Sequence, residues 1–159
     1  MKLFCENNIH TYLNEQKQQL KQEIFEKEDL LMIKEALYRD QLVRKYLIPA
    51  LMMHWDKVIK RVEPFEVIYH LPFSGNQTLL MMEPTCSFDD VQITMDKKVE
   101  ELIIRFTKAD EHVITKKWAT LLNNLHKYFV DMIQKIADYN DELPKLVKMT
   151  IVDKKAQLS

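Results

Sequence analysis

Glycine is the residue that this chain most clearly lacks. The sequence has 159 residues and a single glycine, Gly75, where an average usage of about 7% would supply about eleven. Loops that bind phosphate groups need glycine, because their backbone approaches the ligand closely and adopts positive φ. The sequence therefore excludes a Walker loop, a GxGxxG turn and a GxSxG nucleophile elbow, and with them the nucleotide-dependent enzymes built on those motifs.

Cysteines and long apolar runs are also scarce. The two cysteines, Cys5 and Cys86, can form at most one disulfide and no framework of several bridges. The first residues turn polar too soon for a signal peptide, and no apolar run approaches the ~20 residues that cross a bilayer. We therefore expect a cytoplasmic protein with both thiols reduced and no membrane association.

An excess of charge of either sign is absent as well. Lys plus Arg number 23 and Asp plus Glu number 24, so the formal net charge is -1. Such a chain has no overall field that would attract nucleic acid or an anionic membrane. Its 47% of hydrophobic and 30% of charged residues are typical of a folded globular protein. The length is that of one ordinary domain, so we predict a single domain over residues 1–159.

The N-terminal third of the sequence has the apolar spacing of helices. Its first apolar residues are separated by four or seven positions, which places them on one helix face: Ile9, Leu13, Leu20, Ile24 and Leu31. Similar spacing continues further along, so we predict a helical region over residues 8–62. Pro49 predicts a break just before it, because proline removes a backbone hydrogen bond. Asp29 is a candidate cap for a second helix after an earlier turn.

After Pro64 the apolar pattern changes from a helical period to alternation. Four short alternating runs predict strands, at residues 65–71, 77–83, 90–96 and 101–106. Gly75 and its neighbours have the composition of a hairpin turn between the first two runs. The sequence therefore predicts an antiparallel four-stranded β-meander over residues 65–107.

The remaining residues, 108–158, are predicted to form a C-terminal helical region. The segment from Thr107 to Asp110 resembles a capping box, and a wide apolar stripe follows it. We expect this helix to end near Tyr139, and residues 146–153 fit either a short helix, which we favour, or a fifth strand. The predicted fold class is α+β, with the meander flanked by long N-terminal helices and this C-terminal region.

Residues suited to catalysis are few and dispersed. Cys86 lies in a predicted loop and is the best candidate nucleophile, but no neighbouring residue indicates a depressed thiol pKa. No two Cys or His residues have the close spacing of metal ligands. We therefore predict no catalytic residue, no metal and no cofactor. An enzyme that uses Cys86, or a cluster of His54, His70 and His126, is the weakest hypothesis we retain.

Three sets of residues are candidate binding surfaces. A narrow apolar seam suits a helix of a partner protein or of a second copy, and it comprises Ile9, Leu13, Leu20, Ile24 and Leu31. A pocket between the sheet and the C-terminal helix would be lined by Tyr69, Met81, Ile93 and Trp118. A local basic cluster could contact nucleic acid, and it comprises Arg39, Arg44, Lys45, Lys57, Lys60 and Arg61.

The function that these patterns favour is protein interaction. The sequence predicts a small, cytoplasmic, non-catalytic interaction or regulatory protein that binds a protein partner or itself, as a homodimer. The apolar seam and the exposed edge of the meander are the expected contact surfaces, and nine methionines add adaptable apolar side chains. The alternative is a domain that senses a small molecule in the pocket. Nucleic-acid binding ranks below both.

Overall fold

The structure of the protein is a computed structural model that describes residues 8–81, 91–107 and 110–158. For Met81 it describes the backbone alone. Helices precede and follow an antiparallel sheet of five strands, so the predicted α+β class and the meander-like sheet are confirmed. The chain divides into two compact units. Pro49–Ile133 form most of the sheet unit, and Ile9–Ile48 with the chain from Gln134 onward form the helical unit. The single domain of the sequence analysis stays a prediction.

The helical unit contains two N-terminal helices, α1 (Ile9–Phe25) and α2 (Glu35–Tyr46). The predicted cap at Asp29 is wrong, because α2 begins six residues later, after Lys34. The Asp29 carboxylate instead lies 3.2 Å from the ammonium of Lys27, and its backbone carbonyl accepts a hydrogen bond from the N–H of Met32. Asp29 therefore belongs to the turn between the helices.

The prediction that helix continues to residue 62 is wrong. After Pro49 the chain forms β1 (Leu51–Met53), a 3₁₀ turn (Trp55–Lys57) and β2 (Ile59–Val62). The four-residue spacing of the apolar side chains here resembles a helix face. Two short strands separated by a turn produce the same spacing. Pairing with the rest of the sheet favours the strands over a helix here.

Strand β3 (Glu66–Gly75) is the centre of the sheet. One of its edges pairs with β5 (Glu101–Thr107), which pairs in turn with β4 (Gln92–Asp96), and all these pairs are antiparallel. Its other edge pairs with β2 along one part and with β1 along another. The sheet therefore has five described strands, where the sequence analysis predicted four.

The extra strands come from residues 51–62, while the described part of one predicted strand has another structure. Residues 77–81 of the predicted strand 77–83 form a 3₁₀ helix (Gln77–Met81), and residues 82 and 83 lie outside the described part. Gly75 has a φ of 99°, but it ends β3 and does not turn a hairpin. A Cβ at this position would collide with the backbone carbonyl of Ala50. Glycine is thus required by the close approach of the chain that leads into β1.

Helix α3 (Glu111–Leu158) is 48 residues long and contributes to both units. The predicted start at Thr107 is wrong, because Thr107 ends β5 and Asp110 is the cap, accepting the N–H of His112 at 2.8 Å. The predicted end near Tyr139 is also wrong, because the helix continues through Pro144. Buried apolar residues continue on both sides of this proline and offset the lost hydrogen bond: Tyr139, Leu143, Val147 and Ile151. The preferred helix at 146–153 is confirmed.

Each unit has its own apolar core. In the sheet unit the buried residues come from the strands and from the first half of α3, among them Tyr69, Leu71, Leu102, Ile104, Leu125 and Phe129. In the helical unit they come from α1, α2 and the second half of α3, among them Leu20, Ile24, Leu42, Leu143 and Val147. Strand β2 is outside this pattern, because all four of its residues are exposed.

Candidate functional site

The predicted partner seam lies in the interior of the helical unit. Ile9, Leu13, Leu20 and Ile24 are buried, and the last two have 0% of their surface exposed. Leu31 is 58% exposed, but it lies beyond the end of α1. The spacing of these residues therefore reflects packing within the chain. Because the four side chains on α1 are buried, they offer a partner no continuous apolar stripe.

The predicted pocket is occupied by the protein's own side chains. Tyr69, Ile104 and Ile93 are neighbours in one row across β3, β5 and β4. Trp118 of α3 stacks on Tyr69, with ring centroids 3.9 Å apart and planes within 5°. Burial raises the pKa of the Tyr69 phenol. The side chain of Met81 lies outside the described part. Rings in direct contact leave no space for a ligand between them, so this arrangement is core packing.

The predicted basic cluster does not lie on one helix. Arg39, Arg44 and Lys45 belong to α2 in the helical unit, whereas the other three belong to the sheet unit: Lys57, Lys60 and Arg61. On α2, Arg39 lies 3.9 Å from Glu35, and Lys45 forms an ion pair with Glu23. The six residues form no common α-helical face, because Lys57 lies in the 3₁₀ turn and Lys60 and Arg61 lie on β2.

The three histidines of the enzyme hypothesis have different neighbours. His54 Nε2 lies 3.2 Å from Ser74 Oγ, and His70 Nδ1 lies 3.7 Å from a carboxylate oxygen of Glu101. The His126 ring lies 5.2 Å from the ring of Trp55. Within residues 8–81, 91–107 and 110–158, no three His, Cys, Asp or Glu side chains are placed to hold a metal. Cys5 and Cys86 lie outside these ranges, so the Cys86 hypothesis stays a prediction.

Glu23 of α1 lies beside two tyrosines of α2, and one of its carboxylate oxygens is buried. Glu23 pairs with Lys45, while its Oε2 and the hydroxyl of Tyr38 are buried without a hydrogen-bond partner in the described part of the chain. Burial raises the pKa of Tyr38, and the negative charge of Glu23 raises it further. Burial raises the pKa of Tyr46 as well, and a hydrogen bond to Glu23 and the negative charge of that carboxylate raise it further. These groups belong to the packing of α1 against α2.

Two surface grooves lie on the sheet unit. One, of about 460 Å³, is lined by Glu66, Val91, Gln92, Arg105 and Thr107. Its two charged side chains are already joined, since Arg105 donates a 2.8 Å hydrogen bond to Glu66. The other, of about 360 Å³, is lined by Trp55, Ala119, Leu122, Asn123 and His126. Neither groove places an unpaired charge or a nucleophile at its centre.

Strand β2 is the most exposed strand of the sheet. Ile59 and Val62 have 61% and 59% of their surfaces exposed, although both are large and apolar. In the loop that joins β2 to β3, Phe65 is 85% exposed. Among the described strands, β2 pairs with β3 alone, so its second edge has no partner strand there. We call residues 59–62 with Phe65 the β2 edge.

The hydrogen-bond pattern identifies which backbone groups of β2 point outward. The N–H of Glu63 donates to the carbonyl of Glu66 at 2.9 Å, and bonded pairs alternate along an antiparallel ladder. The register then directs the backbone groups of Ile59 and Arg61 toward β3. Those of Lys60 and Val62 point away from the sheet. In the part of the chain that the structure describes, these two N–H and two C=O groups have no backbone partner.

Lys60 is the unpaired charge of the β2 edge. Arg61 lies 2.8 Å from Glu63, so its charge is compensated locally. Lys60 is exposed, and no carboxylate of the described residues pairs with it. On the preceding 3₁₀ turn, Asp56 and Lys57 have opposite charges and are both exposed. Within the described ranges, the strand therefore presents one positive charge without a counter-charge, between two exposed apolar side chains.

Sequence patterns did not indicate this edge as a unit, although Lys60 and Arg61 were basic candidates. Assigning residues 59–62 to a helix concealed the fact that all four side chains and two backbone units face solvent. The available signal was the pair of β-branched residues, Ile59 and Val62, shortly after Pro49.

Comparisons with known proteins do not place the chain in a family. No protein-family model, no curated protein and no solved structure matches it. Among the described residues, no helix combines the length and the apolar character that crossing a membrane requires. We therefore infer function from the geometry of the β2 edge.

Proposed function

We propose that this protein is a small, non-catalytic interaction protein that binds an extended segment of a partner protein as an additional strand along β2. The predicted cytoplasmic location is part of this proposal. Strand addition is an established mode of peptide recognition, in which main-chain hydrogen bonds give affinity and alternate side chains give specificity. The observation that supports it is the pair of outward backbone units at Lys60 and Val62, which have no backbone partner among the described residues.

The size of the edge indicates the expected affinity. Two outward residues offer up to four main-chain hydrogen bonds, each contributing on the order of 1 kcal/mol net. Burial of Ile59, Val62 and Phe65 adds about 25 cal/mol for each Å² of apolar surface covered. Ordering the bound segment opposes these gains. We therefore expect dissociation constants in roughly the micromolar range, typical of a reversible contact.

A display selection tests this proposal. Random dodecapeptides would be selected on the immobilised wild-type protein, and the recovered peptides would be titrated against Lys60→Pro. Proline removes the outward N–H of residue 60 but no bond to β3, because that N–H points away from β3. We expect affinity to fall about tenfold or more, which corresponds to about 1.4 kcal/mol.

Lys60→Ala is the matched control, because it removes the charge and retains the N–H. It should keep most of the main-chain contribution to binding. Circular dichroism and thermal melting of both variants would verify that the fold is retained. Selected peptides that bind Lys60→Pro as tightly as the wild type, or a selection that yields no binders, would contradict the proposal.

A further inference from the structure

We infer that the segment bound by β2 carries a carboxylate opposite Lys60, flanked by apolar residues opposite Ile59 and Val62. This inference rests on the proposed function, since it names the chemistry of the partner at the same edge. It is carried by the order of side chains along the strand: apolar, free cation, compensated cation, apolar.

The alternation of a strand converts this order into a sequence pattern. Lys60 and Val62 lie on one face of the sheet, and Ile59 and Arg61 lie on the other. Directly opposite side chains of paired strands interact, and opposite charges there are favourable. The position opposite Arg61 is unconstrained, because Glu63 already pairs with that arginine. A parallel segment would therefore read apolar–acidic–any–apolar, and an antiparallel one apolar–any–acidic–apolar.

The charge of β2 argues against a second copy of this chain as the occupant. Antiparallel pairing of two β2 strands about a twofold axis can place Lys60 opposite either Lys60 or Val62 of the other copy, because these residues carry the outward backbone groups. The first register puts Lys60 opposite Lys60, and the second puts Arg61 opposite Arg61. Like charges directly opposite each other destabilise a strand pair. An acidic segment of a different protein removes this repulsion and provides the missing counter-charge.

The same edge is a poor match for nucleic acid. Binding to a phosphate backbone relies on several cations that release counterions together. Strand β2 presents one uncompensated cation between exposed apolar side chains, with alternating N–H and C=O groups. This arrangement complements a polypeptide, which has the matching main-chain groups, and a phosphate backbone has none.

Synthetic peptides can test the pattern directly. Fluorescein-labelled decapeptides would contain Val-Glu-Thr-Val or Val-Thr-Glu-Val, to cover both strand directions, with Gln and Lys versions of each. Fluorescence polarisation would measure their affinity for the wild-type protein at low and high salt. We expect one Glu peptide to bind about threefold to fivefold more tightly than its Gln version, which is the scale of an exposed cross-strand ion pair. The Lys version should bind more weakly still, and added salt should narrow the differences.

A charge reversal gives the decisive variant. Lys60→Glu should invert the preference, so that the Lys peptide binds more tightly than the Glu peptide. Lys127→Glu is the matched control, since Lys127 is an exposed lysine of α3 outside β2. It changes the net charge equally and should leave the preference for the Glu peptide intact.

The outcomes separate this inference from the proposed function. Equal binding of Glu, Gln and Lys peptides, combined with loss of binding in Lys60→Pro, would overturn the acidic preference and leave strand addition standing. Failure of both Glu peptides to bind at millimolar concentration would also overturn the inference, while the display selection judges strand addition independently. Inversion of the preference by Lys127→Glu as well as by Lys60→Glu would show a nonspecific charge effect and overturn it.

Discussion

The helical unit and the β2 edge differ in how the hydrogen bonds of their backbone polar groups are satisfied. In the helical unit, the hydroxyl of Tyr139 donates to the carbonyl of Tyr46 at 2.9 Å, at the end of α2. The Asn140 amide accepts the N–H of Ile48 and donates to its carbonyl, both at 3.0 Å. The β2 edge leaves two N–H and two C=O groups without a described partner. Side chains satisfy the chain end after α2, whereas the strand edge is left open to solvent.

The comparison shows where this chain has binding capacity. A backbone group that is capped by a buried side chain is unavailable to a partner, because breaking that bond leaves a polar group unsatisfied. A backbone group at an exposed edge exchanges water for a partner's main chain at little cost. Substitutions in the two regions test this contrast.

The largest expected difference is between two isoleucines. Ile24→Ala should lower the free energy of unfolding by about 2–5 kcal/mol, because Ile24 is 0% exposed and its truncation leaves a cavity. Ile59→Ala, at a side chain that is 61% exposed, should change stability by less than about 0.5 kcal/mol. Urea denaturation of both variants measures the difference. A large loss in Ile59→Ala would show that β2 is packed against something, and would remove the exposed edge.

A smaller effect is expected from the amide that caps the end of α2. Asn140→Ala should cost about 1–3 kcal/mol, because it removes both hydrogen bonds to the backbone of Ile48. Asn123→Ala, at an exposed position of the same helix, serves as the control and should be nearly neutral. Thermal unfolding of the two variants under identical conditions provides the measurement. Equal melting temperatures would mean that solvent satisfies Ile48 equally well.

The third prediction concerns alkaline pH. Burial raises the pKa of Tyr139 from its ordinary value of 10.0 to about 12. Because the folded state holds the proton more tightly than the unfolded state, this contribution is fully present below pH 10.0 and is lost as pH rises toward about 12. Tyr139→Phe removes the hydrogen bond to the carbonyl of Tyr46, so it should be less stable than wild type at neutral pH. It also removes the titrating phenol, so it should lose less stability over that window. Urea titrations between neutral and alkaline pH would reveal the shallower slope, and parallel slopes would assign the titration to other tyrosines.

Much of this fold could be predicted from periodicity alone. The spacing of Ile9, Leu13 and Leu20 indicated a helix, and it was correct because the helix packs one face within its own unit. The alternation of Leu102, Ile104 and Phe106 indicated a strand for the same reason, since only one face of the sheet is deeply buried there. The spacing of apolar residues predicts a helix or a strand correctly where that element buries a single face.

Residues 51–62 show why the rest could not be predicted. Their apolar spacing fits a helix face and two short strands equally well, and the choice depends on pairing with β3, which is a nonlocal interaction. The β2 edge was missed for the same reason, because the outward direction of a backbone group follows from strand register. Near Pro144 the sequence predicted a helix end that the structure does not have. Buried side chains of α3 on both sides of this proline keep the helix continuous.

The placement of Lys60 also has a consequence for folding. The sheet is assembled from two local hairpins, β2–β3 and β4–β5, joined by the longer-range pairing of β3 with β5. Local hairpins form in microseconds, well before distant strands meet, so β2 is presented to other chains early. A flat apolar edge exposed at that stage is a template for aggregation, and lysine is a residue that natural sheets use to prevent it. The charge that would select an acidic partner would thus also keep nascent copies of this chain apart.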